Sequence, residues 1–379
     1  MPGRAEAYRV FFGLAALWAA VSVLLWLWQS GPDLPLSWHV AEMGLGFVSA
    51  LIAGYALSAC SAWSGRAPLR GSLVLALAFI WLSARVAALV QPVSGASLPA
   101  MLNATVFAAI AGLVLREWLH GQRQGRSHAV PPFIIAICLT LGLGTLFAQG
   151  FHIGLILLPI WLVTLIGSRM LAAFLAAAGQ RAGALDPLPF WPLAHAALVS
   201  LGAALVASGD GHGVIMPAQL LATSALLTGF MLSLPLRHLR RDVLLSMMAL
   251  ALACIPVGLR LLALAYSGWA GAPGGAVHLL MIGSMGGMGV AVIARSNAIR
   301  VSDRLKARRS AVAGFACVLL AALLRMADLT APAAASWSLG WGLVLLAHLR
   351  GCAGPVERPI FSARSDATAP SLGRAAKSR

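Results

Sequence analysis

The sequence predicts an all-α protein, a polytopic bundle of about twelve transmembrane helices with both termini on the cytoplasmic side. Three observations predict it. Of 379 residues, 60% are hydrophobic and 10% charged, against roughly 25% charged in a soluble domain. Apolar runs long enough to cross about 30 Å of hydrocarbon as a helix recur along the whole chain. The basic residues alternate between connections, as they do where charge sets the orientation of membrane helices. A water-soluble globule and a disordered chain are thereby excluded. The net charge of +16 invites a nucleic-acid partner, but its placement between apolar runs excludes that too.

In chain order, the first run, 10–28, follows Arg4 and Arg9 as in a signal peptide, but its length makes it a retained anchor. The second and third runs, 39–60 and 71–90, carry Glu42 and Arg85, and the fourth spans 101–119. The fifth and sixth, 131–149 and 151–168, are divided only by Gln149 and Gly150. The second half reads 190–208, 216–235, 243–266 with Arg260, 277–294 with His278, 310–327 with Arg325, and 334–350. Residues 1–350 thus form the membrane domain. The tail, 351–379, is rich in Pro, Ser, Ala and Arg, which predicts a disordered basic segment touching anionic lipid.

Of the 27 Lys and Arg residues, Arg85, Arg260 and Arg325 fall well inside runs, while Arg116 and Arg350, at the ends of theirs, are counted with the adjoining connection and tail. The other 24 lie in the N-terminal arm, in every second connection and in the tail, and the six opposite loops hold none. That alternation places the arm and tail in the cytoplasm. The five cysteines show no paired spacing, so neither a disulfide framework nor a zinc site is predicted.

Ionisable groups inside spans are costly and mark functional sites. Glu42 is the clearest intramembrane acid, and at about 1.5 Å per residue it shares the outer leaflet with Arg85, Arg260 and Arg325. His39, His152, His212 and His278 fall at outer helix ends or in an outer loop. His120, His128 and His238 fall in cytoplasmic loops, and His195 and His348 near inner helix ends, where a hydrogen-bonded role is expected. On an ideal α-helix His39, Glu42, Met43 and Gly46 share a face. His278, Met281, Met285 and Met288 do the same, beside Gly283 and Gly287, a spacing that lets another helix approach. Imidazole ligates copper or haem iron, thioether suits Cu(I) or a haem axial position, and buried Arg pairs with carboxylates. The residues alone equally allow the Met stripe as packing, and Glu42 as a partner of Arg85 or Arg260 that sets the helix arrangement. Phosphate-binding loops, Ser/His/Asp triads and His-E-x-x-His helices are absent.

The stretch Trp38-His39-Val40-Ala41-Glu42-Met43-Gly44-Leu45-Gly46-Phe47, with Ala53-Gly54 after it, resembles the NnrS family of haem- and copper-containing membrane proteins. The likeness continues through Ala62-Trp63-Ser64-Gly65-Arg66-Ala67-Pro68-Leu69-Arg70-Gly71, similar to the family's NWTGR-x-PL-x-G loop, to Trp81 and Arg85. Further on, His278 through Arg295 looks like the family's helix that opens on His and closes on Met-x-x-Arg.

The resemblance implies a twelve-helix protein of the bacterial inner membrane, with haem and copper. It ties the protein to nitric oxide, denitrification or nitrosative stress, without settling a reaction. His39 and Glu42 match the family's H-x-H-E motif and His278 a later family histidine. So carried over, His39 and His278 are metal ligands that approach a cofactor from two helices. Arg85 and Arg260 neutralise haem propionates, and Glu42 orients His39 or relays a proton. The implied partners are membrane lipid, nitric oxide or a nitrosylated metal complex, and a component of a respiratory chain.

Three departures matter. The second histidine of the motif is Ala41, and Ile299-Arg300-Val301-Ser302-Asp303-Arg304 replaces the family's G-H-T-G-R. The region 256–266 offers Arg260 in place of an L-H pair. These losses weaken or remove one metal site, copper before haem. Two other readings stand beside this one. One is a secondary transporter of a small anion or metal chelate, using Arg inside the bundle. The other is a cofactor-free scaffold that partners a respiratory complex.

Overall fold

A computed structural model describes residues 5–29, 34–91, 97–147, 153–181, 191–210, 213–269, 271–301 and 304–353. Each apolar run falls on one long helix. The first six are α1 (Ala7–Trp28), α2 (Leu36–Ser64), α3 (Ser72–Ala88), α4 (Leu98–Arg123), α5 (Val130–Phe147) and α6 (Gly154–Arg181). They are followed by α7 (Trp191–Ala207), α8 (Ile215–Leu232), α9 (Val243–Tyr266), α10 (Gly274–Ser296), α11 (Arg309–Met326) and α12 (Thr330–Cys352). Among the described residues ten helices are long and apolar enough to cross a membrane, while α3 and α7 are apolar helices of 17 residues. The fold is therefore an all-α polytopic bundle. Of the tail expected to be disordered, 351–379, residues 351 and 352 instead end α12, while 354–379 and the break expected at Gln149–Gly150 lie outside the described residues.

Helix ends follow local chemistry more than the limits of hydrocarbon. At the start of α4 the Ser97 hydroxyl accepts from the Ala100 amide, with Pro99 in the first turn. Asp242 caps α9 by accepting from Leu244 and Leu245. α4 and α6 run beyond the apolar runs that predicted them, so Arg123 and Arg169, expected in connections, sit on helices. Their neighbours are good helix formers, and nothing in the composition stops the helix where the apolar run ends. The connection after α10 holds an antiparallel hairpin, Ile299–Val301 against Arg304–Lys306, with Val301 opposite Arg304.

The core is centred where α12 packs on α11 and α1, α2 packs on α1 and α4, and α10 packs on α9, α11 and α6. The α11–α12 crossing depends on Gly314 and Gly340. A Cβ on either would lie 2.6 or 2.8 Å from the other's carbonyl oxygen, so the two backbones touch. The Trp337 indole on α12 donates to the Ala19 carbonyl of α1 at 2.7 Å. Outward-facing positions are apolar as well: Phe79, Val206 and Leu232 are 70%, 77% and 82% exposed, as suits side chains facing lipid rather than water.

Candidate functional site

α2 and α10 share an unusual construction. Each enters just after a proline, Pro35 or Pro273, and carries its histidine within its first five residues. Each then changes to π-helical hydrogen bonding, over Glu42–Phe47 in α2 and Leu279–Gly286 in α10. Such segments are rare and recur at functional sites, because the wider turn re-aims the side chains around it. Both π segments are rich in glycine, which offers no side-chain bulk against the distortion. The shared faces expected from α-helical spacing survive in part: a Cβ on Gly46 would lie 2.9 Å from Glu42 Oε2, and Met285 and Met288 line the same pocket. Glu42 is fully buried, while His39 and Met43 are half-buried, and Met281 is less buried than Met285 and Met288.

The two histidines lie at the N-terminal ends of α2 and α10. His39 lies within electrostatic range of both His278 and Arg325. Its ring stacks on Trp26 of α1, with centroids 4.4 Å apart and planes at 28°. His39 Nδ1 is buried without a hydrogen-bond partner. His278 Nδ1 lies 2.7 Å from the Gly274 carbonyl oxygen. A carbonyl only accepts, so Nδ1 carries the proton and Nε2 keeps its lone pair, the arrangement of a histidine poised to ligate. Arg325 Nη1 donates to Asp328 at 2.9 Å, and both charges stand near His278. Three neighbouring buried donors, the Trp26 and Trp38 indole nitrogens and the Ser22 hydroxyl, also have no partner.

One turn further in lies a second polar cluster. Arg85 Nη1 of α3 is 3.1 Å from Glu42 Oε2, with both side chains essentially inaccessible (2% and 0%). The contact is an ion pair without the alignment of a hydrogen bond, since neither atom has a hydrogen-bond partner. Arg85 Nη2 donates instead to Asn103 Oδ1 on α4, whose own amide donates to the Pro99 carbonyl at 3.0 Å. The guanidinium stands 5.2 Å from the Trp81 ring. The Trp81 indole donates to the Gly46 carbonyl at 2.9 Å and to Ser49 at 3.1 Å. Gly46 is required by this packing, because a Cβ there would occupy the place of the guanidinium. Of the two partners the sequence left open for Glu42, the structure selects Arg85.

The remaining expected residues separate. Arg260 does not join the site. Its side chain is exposed on α9, because that helix turns an outward face at this position. The Trp63–Arg70 loop serves structure: Arg66 lies 3.5 Å from Glu117, a buried carboxylate also held by Arg116 at 2.7 Å. His348, near the C-terminal end of α12, is satisfied, with Nε2 2.9 Å from the Arg9 carbonyl and Nδ1 2.9 Å from Asn297 Nδ2. His152 and His212 lie outside the described residues. Among the described residues no group of three or more His, Cys, Asp or Glu is close enough to hold a metal ion. Residues the sequence did not assign to the site are Trp26, Asn103 and Arg325. Arg325 carried a signal, as a base inside an apolar run, and so did Asn103, as a lone amide in one.

In comparison with known families, the chain matches the family model described as NnrS protein over residues 2–353. No curated protein matches it significantly.

Proposed function

This chain belongs to the NnrS family, and from that membership and the paired histidines we propose that it is a membrane-embedded haem protein tied to nitric oxide. The observation that carries the proposal is that His39 stands within electrostatic range of His278, each at the start of a π-distorted helix. The donor set fits this class of cofactor. Two imidazoles without a third ligand suit the one or two axial positions of a haem, or a two-coordinate Cu(I), better than a Zn or Cu(II) site of three or four ligands. Ala41 stands where the family motif has its second histidine, which ranks haem above copper. The unpartnered Trp26, Trp38, Ser22 and His39 groups supply donors for a polar ligand at the same end.

His39 and His278 are the residues that would hold the group, one or both at the iron, and His278 is oriented for this by the Gly274 carbonyl. Arg325, within electrostatic range of both, is the cation placed to neutralise a carboxylate of the bound group. Arg85 is committed to Glu42 and Asn103 and fixes the arrangement of α2, α3 and α4. A ferrous haem, if bound there, would supply an iron that takes nitric oxide. The ligand in the cell is then nitric oxide or a nitrosylated metal complex, with a respiratory-chain component as partner. All twelve helices cross the bacterial inner membrane in this reading, α3 and α7 included, since 17 residues rise about 26 Å. Both termini are cytoplasmic. The test is the optical spectrum of the purified protein, oxidised and reduced, with iron and copper quantified. A Soret band at one iron per chain, lost in His39→Ala or His278→Ala, is the expected result.

A further inference from the structure

A half-open apolar groove follows the meeting of α1, α2, α5, α6 and α10. Leu51 of α2, Val163 of α6 and Met285 of α10 are among its walls, and Tyr55 carries the single side-chain hydroxyl of the lining. The groove is elongated. On α10 its lining extends from Met285 to Val292, a rise of about 10 Å, against about 15 Å for the hydrocarbon of one leaflet. A strip of that length along the helices suits a chain of methylenes. An extended polypeptide lying there would bury amides and carbonyls that these walls cannot pair, whereas an acyl chain carries none.

The end of the groove decides which lipid it takes. Arg169 follows Ile166, a lining residue of α6, by one turn. It is exposed and stands within electrostatic range of Tyr55. On α10, Arg295 follows Val292 by one turn in the same way. The two helices advance together: Gly167 packs on Met288, and seven residues on, the Phe174 ring meets the Arg295 guanidinium at 3.4 Å. They therefore carry Arg169 and Arg295 to one end of the groove. Arg126 and His128, in the α4–α5 connection, join them, since His128 lies within electrostatic range of both Arg126 and Arg169. Glu117 on α4 does not supply the counter-charge, being held by Arg66 and Arg116.

From this arrangement we propose that the groove binds an anionic phospholipid, with an acyl chain along α2, α6 and α10 and the phosphate at Arg169, beside Arg126 and His128. Guanidinium groups pair with phosphate through two hydrogen bonds, and basic pockets between membrane helices take anionic headgroups. In a bilayer the tail gains little by leaving its neighbours, because the walls are no more apolar than lipid. The headgroup contact therefore decides which lipid stays. The site needs no cofactor.

The test uses the full chain, washed free of lipid in a neutral detergent. It is offered phosphatidylglycerol and phosphatidylcholine with identical acyl chains, and native mass spectrometry counts the bound lipid. Phosphatidylglycerol should be retained several-fold better. Arg169→Gln should bring it down to the phosphatidylcholine level, while Arg260→Gln, at an exposed cation on α9, leaves it unchanged. Val163→Trp fills the groove and should lower retention of phosphatidylglycerol, and Ile166→Trp takes its place if that variant does not fold. Equal retention of the two lipids overturns the proposal, as does a preference that survives Arg169→Gln or a folded filling variant. Displacement of the lipid by inorganic phosphate alone would assign the cations to a free anion and overturn it too.

Discussion

Arg85→Met is the perturbation whose cost follows most directly from the structure. It leaves the Glu42 carboxylate, fully buried, with no cation beside it, and removes the donor held by Asn103 Oδ1. Breaking a buried ion pair by deleting one partner costs about 3–5 kcal/mol, because the remaining charge stays buried. Loss of the guanidinium over Trp81 adds about 1 kcal/mol. Arg85→Met should therefore fall at the upper end, near 4–5 kcal/mol. Glu42→Gln should cost less, because Arg85 keeps Asn103 and meets a neutral acceptor. The double variant Glu42→Leu/Arg85→Met removes both charges and should recover most of the loss, since buried pairs are often replaceable by apolar residues. The assay is reversible unfolding in mixed detergent micelles, read as a double-mutant cycle. A cost below about 1 kcal/mol for Arg85→Met, or no coupling to Glu42, would refute the reasoning. Unchanged stability with loss of cofactor would instead assign Arg85 to the cofactor.

Gly46→Ala forces the Arg85 guanidinium to move, and should lose about 1–3 kcal/mol in the same unfolding assay; full stability in that variant would mean Arg85 lies elsewhere. Gly340→Val separates α11 from α12 at their backbone contact, so it should lower the midpoint of thermal unfolding more than Gly342→Val does, where no neighbour stands close. Arg325→Gln should reduce retained iron several-fold while Arg260→Gln leaves it unchanged, measured as iron per chain after purification; equal effects would contradict the placement of Arg325 near both histidines. His128, in the α4–α5 connection, has its pKa held below the usual 6.5 by partial burial, with Arg126 and Arg169 adding repulsion. A lowered histidine pKa means that the unfolded chain binds the proton more tightly. The stabilising effect of neutral His128 is thus present above pH 6.5 and lost as pH falls below it. An NMR titration midpoint at or above 6.5 would reverse that sign.

The helices were legible because length and apolarity decide whether a segment crosses a membrane, and both are written in the sequence. Which face of each helix is buried was not. In lipid the outward face is as apolar as the inward one: Val206 is 77% exposed and Ile137 is buried, yet both are β-branched residues in apolar runs. For the same reason Arg85 and Arg260 look alike in sequence, and only the tertiary arrangement buries one against Glu42 and leaves the other exposed. His39 and His278 stood out as histidines at helix entrances beside unusual glycine and methionine patterns. The faces drawn from those patterns held only for Glu42 with Gly46 and Met285 with Met288, and the π turns at Glu42–Phe47 and Leu279–Gly286 were not legible from spacing. Trp26 was invisible as a site residue, since its role depends on α1 lying against the start of α2. The hairpin at Ile299–Lys306 was hidden by its charges, although Ile299 and Val301 are residues that favour a strand.

The central claim is that His39 and His278 together hold a metal cofactor at the outer end of the bundle. Its most direct test is the optical spectrum of the wild type, His39→Ala and His278→Ala proteins in detergent, as isolated and after dithionite, with iron and copper quantified on each sample. The account predicts a Soret band in the wild type that sharpens on reduction, at about one iron per chain, and its loss or shift in each variant. A stoichiometric haem spectrum untouched in both variants would contradict the ligand assignment. Wild type produced with ample haem but containing neither iron nor copper would contradict the cofactor itself.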